Sequence, residues 1–348
     1  MPKWLNNSRF YLTTFVSTIA ACALAFALWG FAPSRDHFAS QPLDGEAGWY
    51  RDYDDQSTRE VQDRDIIFHN IGNSIDAARA ADVILLGHSV LGFGIDDSQV
   101  AQFAREHNVR IFNLFTPGIA SGAFIRKVIK RWDIRPKIWI VNATDIPANF
   151  FNDEMDDLLS TGKSSALQIV NTPRPEGYWR VIKRNVRWAI EDLVAGYVPG
   201  GMAKLMLRYY GSGISIWRSA VTGNYSLKQI AYYWQQAPLI KPNRDQTSCH
   251  VLPWEIEKAR AFLADIGGTV VLTNLPELHW CPLRVNELAA ALGLETIMPP
   301  DAEYQSIDTV HMNSDGARKF THFLIEALQR TAAFKMALPA AALAPPKN

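Results

Sequence analysis

Ser89 is the first residue of the sequence whose type and position suggest chemistry. It follows a short apolar run, 83–86, and a glycine at position 87, and Gly92 and Gly94 come soon after it in a predicted loop. The apolar run predicts a buried parallel strand, and parallel sheets bind ligands beyond the carboxyl ends of their strands. We therefore expect Ser89 to be exposed at such an end. The alternative is that Ser89 only caps the helix that follows.

The residues around Ser89 do not form three better-known motifs. The glycines lack the G-x-G-x-x-G spacing of a dinucleotide site, and no Walker lysine follows them. Leu91 stands where the nucleophile elbow of the α/β-hydrolases needs a glycine.

Asp308 and His311 supply the two groups that a nucleophilic serine needs. A serine hydroxyl is a poor nucleophile until a base removes its proton, and an imidazole base needs a carboxylate on its other ring nitrogen. The two residues lie three positions apart, just before a predicted helix at about 316–333. The alternative is a surface histidine beside a helix cap formed by Asn313 or Ser314.

Alternating strands and helices are expected to position these residues. Short apolar, β-rich runs predict strands at 83–86, 110–114, 137–141 and 269–273, and helical patterns separate them at about 96–107, 121–132 and 254–266. This alternation is typical of a parallel sheet that helices cover on both faces. We therefore expect an α/β fold with a three-layer α/β/α, flavodoxin-like architecture and a central parallel sheet.

The two motifs together resemble those of the SGNH, or GDSL-like, hydrolase superfamily. Its first block places a serine after a glycine just beyond the first strand, and its last block is D-x-x-H before the final helix. The resemblance covers about residues 80–145 and 268–333. It implies that Ser89, Asp308 and His311 are the catalytic residues of a serine hydrolase.

The same resemblance implies an oxyanion hole. The amides of Ser89 and Gly118 are expected to form it, because Gly118 ends a stretch similar to the second block. The third block departs from the usual G-x-N-D and reads N-A-T-D from Asn142, so its asparagine donor is either Asn142, shifted by two positions, or missing. His88 stands where G-D-S has its aspartate. The resemblance implies no metal and no organic cofactor.

The amino-terminal segment predicts a membrane anchor. Residues 11–32 carry no charge, and a helix of this length reaches ~33 Å, enough for a hydrocarbon core. Lys3 and Arg9 precede it, so residues 1–10 are expected in the cytoplasm and the rest outside the inner membrane. A cleaved signal peptide is the alternative. Cys22 matches a loose lipoprotein pattern, but more apolar residues follow it, so a buried thiol is expected.

The remaining chain divides by composition. Residues 33–62 are polar and predict a linker, 63–335 predict the SGNH hydrolase-like domain, and the Ala- and Pro-rich residues 336–348 predict a disordered tail. An aromatic-rich insertion at about 150–248 interrupts the domain. Its aromatic side chains are expected to be core residues or sugar-stacking surfaces, and they include Tyr178, Trp179, Trp188, Tyr209, Tyr210, Trp217, Tyr232, Tyr233 and Trp234.

Two cysteines remain for an oxidising compartment once Cys22 is placed in the membrane. Cys249 and Cys281 form either a disulfide or two separately buried thiols, and the sequence leaves both open. A metal site that adds His250 and His279 is disfavoured, because adjacent ligands rarely reach one ion and no C-x2-4-C pair exists.

The overall charge and the resemblance together define the expected function. With 35 basic and 35 acidic side chains, the chain lacks the basic excess that nucleic-acid binding requires. Anchored, exported members of this superfamily are similar to the accessory proteins of alginate O-acetylation and teichoic acid D-alanylation, which work beside a multi-span membrane acyltransferase. The resemblance implies an esterase or O-acyltransferase acting on acyl esters of an envelope or secreted polysaccharide. The alternatives are a catalytically inactive SGNH-like scaffold and a carbohydrate-binding accessory protein of polysaccharide synthesis.

Overall fold

The structure is a computed structural model that describes most of the predicted catalytic domain. The described residues are 11–21, 48–54, 63–116, 122–143, 215–226, 239–240, 249–277, 281–307 and 310–338.

Strands and helices alternate through these segments. The strands are β1 (Trp49–Asp54), β2 (Val83–His88), β3 (Ile111–Thr116), β4 (Ile138–Asn142), β5 (Ser215–Ser219), β6 (Leu239–Ile240), β7 (Thr269–Thr273), β8 (Glu295–Ile297) and β9 (Tyr304–Gln305). The helices are α1 (Asp63–His69), α2 (Asp76–Ala80), α3 (Ser89–Gly94), α4 (Asp97–His107), α5 (Gly122–Trp132), α6 (Pro253–Ile266), α7 (Pro282–Leu292), α8 (Ser314–Arg330) and α9 (Ala332–Ala337), with a 3-10 turn at Ile71–Asn73.

Five of the strands form one parallel sheet, which confirms the predicted α/β class. Their order is β3-β2-β4-β7-β8, or 2-1-3-4-5 when the five are numbered along the chain. The order reverses between β2 and β4, because the chain leaves β2 for β3 on one side and returns to β4 on the other. Such a reversal opens a crevice at the carboxyl ends of the two strands, where α/β proteins bind ligands.

Helices pack against both faces of this sheet. Ile84 and Leu86 of β2 point into one apolar core, with residues of α1, α2, α5, α6 and α7. Val83 and Leu85 point into the other, with residues of α3, α4, α8 and α9. All four side chains are almost completely buried, which explains why the strand is a continuous apolar run rather than an alternating one.

The predicted elements differ from the observed ones mainly at their ends. Three of the four predicted strands continue one or two residues further toward the carboxyl edge, and 269–273 matches β7. The final helix is two helices, because Thr331 leaves the helical conformation and its side chain caps α9 by accepting a hydrogen bond from the Phe334 N–H. The helix α9 runs to Ala337 and Leu338 is buried, so the predicted disordered tail begins too early.

Strand β1 lies inside the predicted linker 33–62, which is therefore wrong at these residues. It pairs antiparallel with β5, which comes from the predicted insertion. Tyr50 is buried against Ile66 and Ile71, so the strand belongs to the folded domain. A pairing between segments this distant in the chain leaves little local signal in either of them.

The described part of the predicted membrane anchor is helical. Residues 11–21 form a helix, and its large apolar side chains are exposed. No helix within the described segments is both long and apolar enough to cross a membrane. Residues 1–10 and 22–32 lie outside these segments, so the anchor and the position of Cys22 stay predictions.

A disulfide joins Cys249 and Cys281, whose Cα atoms are 6.2 Å apart. It connects the segment before α6 to Cys281, the residue that caps the start of α7. The sulfurs are therefore not metal ligands, and His250 instead contacts Glu287, with 2.6 Å between Nδ1 and Oε1. His279 is outside the described residues, among which no group of three or more metal-ligating side chains occurs.

Candidate active site

Ser89 is the first helical residue beyond the carboxyl end of β2. The residue before it, His88, caps the helix α3, because its Nδ1 accepts a hydrogen bond of 3.1 Å from the Val90 N–H. Aspartate is among the preferred residues for such a cap. The imidazole thus takes the acceptor role that an aspartate before the serine would have, and the hydroxyl of Ser89 is not needed as the cap.

The structure brings Ser89 and His311 together from 222 residues apart. The Oγ atom of Ser89 lies 2.9 Å from Nε2 of His311, and both side chains are partly buried. When the ring proton is on Nδ1, the hydroxyl donates to Nε2. This is the arrangement in which an imidazole can accept the proton of a serine nucleophile.

The turn that carries His311 is fixed on both sides. The backbone N–H of Ile307 donates to the carbonyl of His311, and Asn313 caps α8 by accepting bonds from the N–H groups of Asp315 and Gly316. Asn313 is thus a helix cap, as the alternative for this segment supposed, but His311 beside it contacts Ser89. Asp308 and Thr309 lie outside the described residues, so the pairing of Asp308 with the ring stays a prediction.

Two glycines allow the serine helix to lie close to its neighbours. Gly92 and Gly94 belong to α3, not to a loop as the sequence suggested. A Cβ atom at Gly92 would lie 2.5 Å from the ring of Phe115, and one at Gly94 would lie 2.4 Å from the side chain of Leu275. Glycine costs about 1 kcal/mol in a helix relative to alanine, and the close approach explains its presence here.

The predicted oxyanion donors come at or after the carboxyl ends of three neighbouring strands in the sequence: Ser89 after β2, Gly118 after β3 and Asn142 at the end of β4. The backbone N–H of Ser89 is at a helix amino terminus, where the first N–H groups have no partner within the helix. Gly118 is outside the described residues and follows β3, whose last residue Thr116 is level with His88. Asn142 ends β4, is fully buried, and accepts a bond of 3.1 Å at Oδ1 from the Leu275 N–H, which fixes its carboxamide.

Two aromatic residues that the sequence analysis did not single out pack on one side of the histidine, Phe93 directly and Tyr225 against Phe93. The ring of Phe93 lies 4.7 Å from that of His311, and the ring of Tyr225 meets Phe93 edge-on at 5.1 Å. Phe93 is four residues after Ser89, so helical spacing places both on one face of α3. That spacing was a usable signal for Phe93, whereas nothing local marks Tyr225.

Tyr304, near the His311 turn, has a phenol whose pKa is strongly raised by its environment. It lies in β9, and β9 leads into the turn through a bridge between Ser306 and Met312. Burial raises the pKa of the Tyr304 phenol to about 12, since the charged phenolate would be poorly solvated. The phenol therefore stays neutral at physiological pH.

Comparison of the chain with family models, curated proteins and solved structures found no match.

Proposed function

We propose that this protein is a membrane-anchored, exported serine esterase or O-acyltransferase of the SGNH type. The 2.9 Å contact between Ser89 Oγ and His311 Nε2 is the observation that carries the proposal. The two residues belong to separate sequence motifs, which lie near opposite ends of the predicted domain.

The position of this pair in the fold supports a substrate site beside Ser89. The strand order 2-1-3-4-5 is the flavodoxin-like order, in which ligands bind where the order reverses. Ser89 follows β2 and Asn142 ends β4, the two strands that flank the reversal. The serine is thus at the place where an α/β protein of this order binds its substrate.

The proposed reaction has two steps. His311, oriented by Asp308, takes the proton of the Ser89 hydroxyl as Oγ attacks the ester carbonyl. The negative charge moves to the carbonyl oxygen, which the N–H groups of Ser89 and Gly118 and the side chain of Asn142 stabilise. When the intermediate collapses, the ester C–O bond breaks and His311 gives its proton to the departing alcohol, leaving an acyl-serine.

In the second step an acceptor hydroxyl attacks the acyl-serine, and His311 takes its proton. Water as acceptor gives a free acid, and a sugar hydroxyl gives a new ester, while the serine regains its proton in both cases. Each oxyanion donor contributes about 10²-fold or more to such a rate. No step uses a metal or an organic cofactor.

The cellular setting of the proposal rests on the resemblance and on the amino-terminal sequence. Residues 11–32 anchor the chain in the inner membrane, and the catalytic domain is periplasmic. The disulfide between Cys249 and Cys281 supports this location, since disulfides persist in oxidising compartments. The substrate is an acylated envelope or secreted polysaccharide, and a multi-span membrane acyltransferase is the partner that supplies acyl groups.

Covalent labelling of the full-length protein in detergent tests the proposal. A fluorophosphonate is expected to label the wild type at Ser89, and labelling is expected to disappear in Ser89→Ala and fall sharply in His311→Ala. Ser98→Ala is the matched control, because Ser98 is an exposed serine in α4 whose hydroxyl contacts Asp96. If a folded wild-type protein shows neither labelling nor ester turnover, the proposed catalytic function is wrong. The alternatives are then an inactive scaffold or a carbohydrate-binding protein.

An acceptor assay then separates the two reactions. The acyl-enzyme is offered an oligosaccharide in water, and the products are analysed by mass spectrometry. An acylated sugar identifies a transferase, whereas free acid alone identifies a hydrolase.

A further inference from the structure

A hairpin from the predicted insertion packs beside the candidate active site. We call residues 215–226 the insertion hairpin, in which β5 turns back so that Arg218 bridges to Tyr225. The backbone N–H of Asn113 in β3 donates to the Thr222 carbonyl over 2.7 Å. The hairpin thus contacts β3, the edge strand of the parallel sheet, which lies next to the strand that precedes Ser89.

The contact between the insertion hairpin and β3 is close and specific. Gly223 has a φ of +75°, and a Cβ atom there would lie 2.2 Å from the carbonyl oxygen of Asn113. The Nδ2 of Asn113 donates to the side-chain oxygen of Asn224 over 2.9 Å, and Nδ2 of Asn224 donates to Asp97 over 2.9 Å. These polar contacts fix the hairpin to both β3 and α4.

The buried side chain of Arg218 connects the insertion hairpin to β3. Its guanidinium is completely buried and lies 3.9 Å from the ring centroid of Phe115. Its Nε donates to the carbonyl of Gly223 and its Nη2 to the carbonyl of Asn113. The arginine therefore joins the turn of the hairpin, β3 and an aromatic ring of the core.

A series of ring contacts leads from this anchor to the histidine. The rings of Phe115 and Tyr225 are 4.7 Å apart, those of Tyr225 and Phe93 are 5.1 Å apart, and those of Phe93 and His311 are 4.7 Å apart. Tyr225 is buried, and Phe93 is partly buried beside the imidazole. Phe93 therefore packs against the His311 ring, and Tyr225 packs against Phe93.

We propose that Tyr225 is a positioning residue, which acts through Phe93 to keep Nε2 of His311 directed at Ser89. The inference rests on the proposed function and gives the insertion hairpin a role in it. Misplacement of a catalytic group by 1 Å can cost about 10²-fold in rate. A leucine at position 225 removes the ring that supports Phe93, so we expect kcat to fall by about 10- to 100-fold while KM is unchanged.

The test compares three variants of the full-length protein. Tyr225→Leu is expected to lose rate, and Tyr225→Phe, which retains the ring, is expected to restore most of it. Phe103→Leu is the matched control, because Phe103 lies in the same core but packs against His107 and Phe334. This substitution removes ring volume from the core and lowers stability, but it removes no ring that packs against His311 or Phe93. If Tyr225→Leu does not fold, Phe93→Leu removes the next ring in the series.

Nitrogen NMR of the His311 ring, assigned with His311→Ala, gives a readout independent of turnover. The wild type is expected to show one tautomer, and Tyr225→Leu a mixture of environments. Wild-type labelling together with an unaltered rate and spectrum in Tyr225→Leu would overturn the positioning role and leave the proposed function intact. Equal losses in Tyr225→Phe and Tyr225→Leu would also overturn it, since the hydroxyl and not the ring would then matter. If the wild type itself is not labelled, the spectrum alone still decides whether Tyr225 orients the ring.

Discussion

Asp308 is the residue whose role is most open to direct test. A carboxylate on Nδ1 of His311 would hold the ring in the tautomer that accepts the serine proton and would stabilise the imidazolium. Asp308→Asn removes the charge and can select the other tautomer, so we expect a normally folded protein with a rate lower by about 10²- to 10⁴-fold. The rate of phosphonate labelling measures this loss. Asp315→Asn, an exposed carboxylate in the first turn of α8, is the control and should keep its rate.

His88 gives a second residue-scale prediction, because its side chain acts as the cap of the serine helix. His88→Asp keeps a capping acceptor, so its free energy of unfolding is expected to be equal to or higher than that of the wild type. His88→Ala removes the acceptor and is expected to lose about 1 kcal/mol of unfolding free energy. Chemical denaturation measures both. Equal destabilisation in the two variants would show that His88 contributes something other than the cap.

The sequence predicted the pair formed by Ser89 and His311 better than it predicted the residues around them. Ser89 and His311 were found because each stands at a recognisable end of an element, a strand in one case and a helix in the other. The contact of Phe93 with His311 depends on how α3 packs against the turn before α8, and Tyr225 reaches the site only through the fold. The four-residue spacing from Ser89 is a local signal for Phe93, but it does not predict the contact with His311, and no local pattern marks Tyr225.

At the scale of elements, four of the five strands of the parallel sheet were predictable, whereas the three-residue strand β8 and the antiparallel pairs were not. Strands buried on both faces, such as β2 and β7, are continuous apolar runs that can be recognised one by one. The pairs β1 with β5 and β6 with β9 join segments that are far apart in the sequence, and β6 and β9 have only two residues each. Their strand conformation depends on the partner, which a local pattern does not contain.

Asp82 joins the amino ends of three of the sheet strands. Its Oδ2 accepts a bond of 3.0 Å from the Arg110 N–H just before β3, and its Oδ1 lies 3.1 Å from the Lys137 ammonium just before β4. Burial acts to raise the pKa of the Asp82 carboxyl, but the Arg110 N–H and the side chains of Lys137 and Arg110 outweigh it. The pKa is therefore lower than usual.

A lowered pKa gives Asp82 a pH-dependent effect on stability. The ionised carboxylate contributes fully above its unfolded pKa of about 3.9, and the contribution is lost as the pH falls through the lower folded value. Asp82→Asn is thus expected to lose about 1–3 kcal/mol of unfolding free energy at pH 7. The difference from the wild type should shrink as the pH falls below about 4. Denaturation at pH 7 and pH 3 measures it, and a pH-independent difference would contradict the assignment.

At the scale of the whole molecule, the candidate site and the ion pairs of Asp82 lie at opposite edges of one sheet. Ser89 and Asn142 are at the carboxyl edge, and Asp82 with its partners is at the amino edge. A change at Asp82 should therefore alter stability without altering the labelling rate of Ser89. The disulfide between Cys249 and Cys281 holds the chain that returns from the insertion to the start of α7.

The orientation of the chain in the membrane is the prediction on which the cellular role depends. Lys3 and Arg9 precede the uncharged residues 11–32, and cytoplasmic flanks carry such an excess of basic residues. A periplasmic phosphatase fused after Asn348 should therefore be active, and a fluorescent protein that matures only in the cytoplasm should stay dark there. The full-length protein should also remain with the membrane after an alkaline wash. A shortened, released form would identify a cleaved signal peptide. It would contradict the membrane anchor but would agree with an exported enzyme. A cytoplasmic carboxyl terminus would instead remove access to any exported polysaccharide and contradict the proposed substrate.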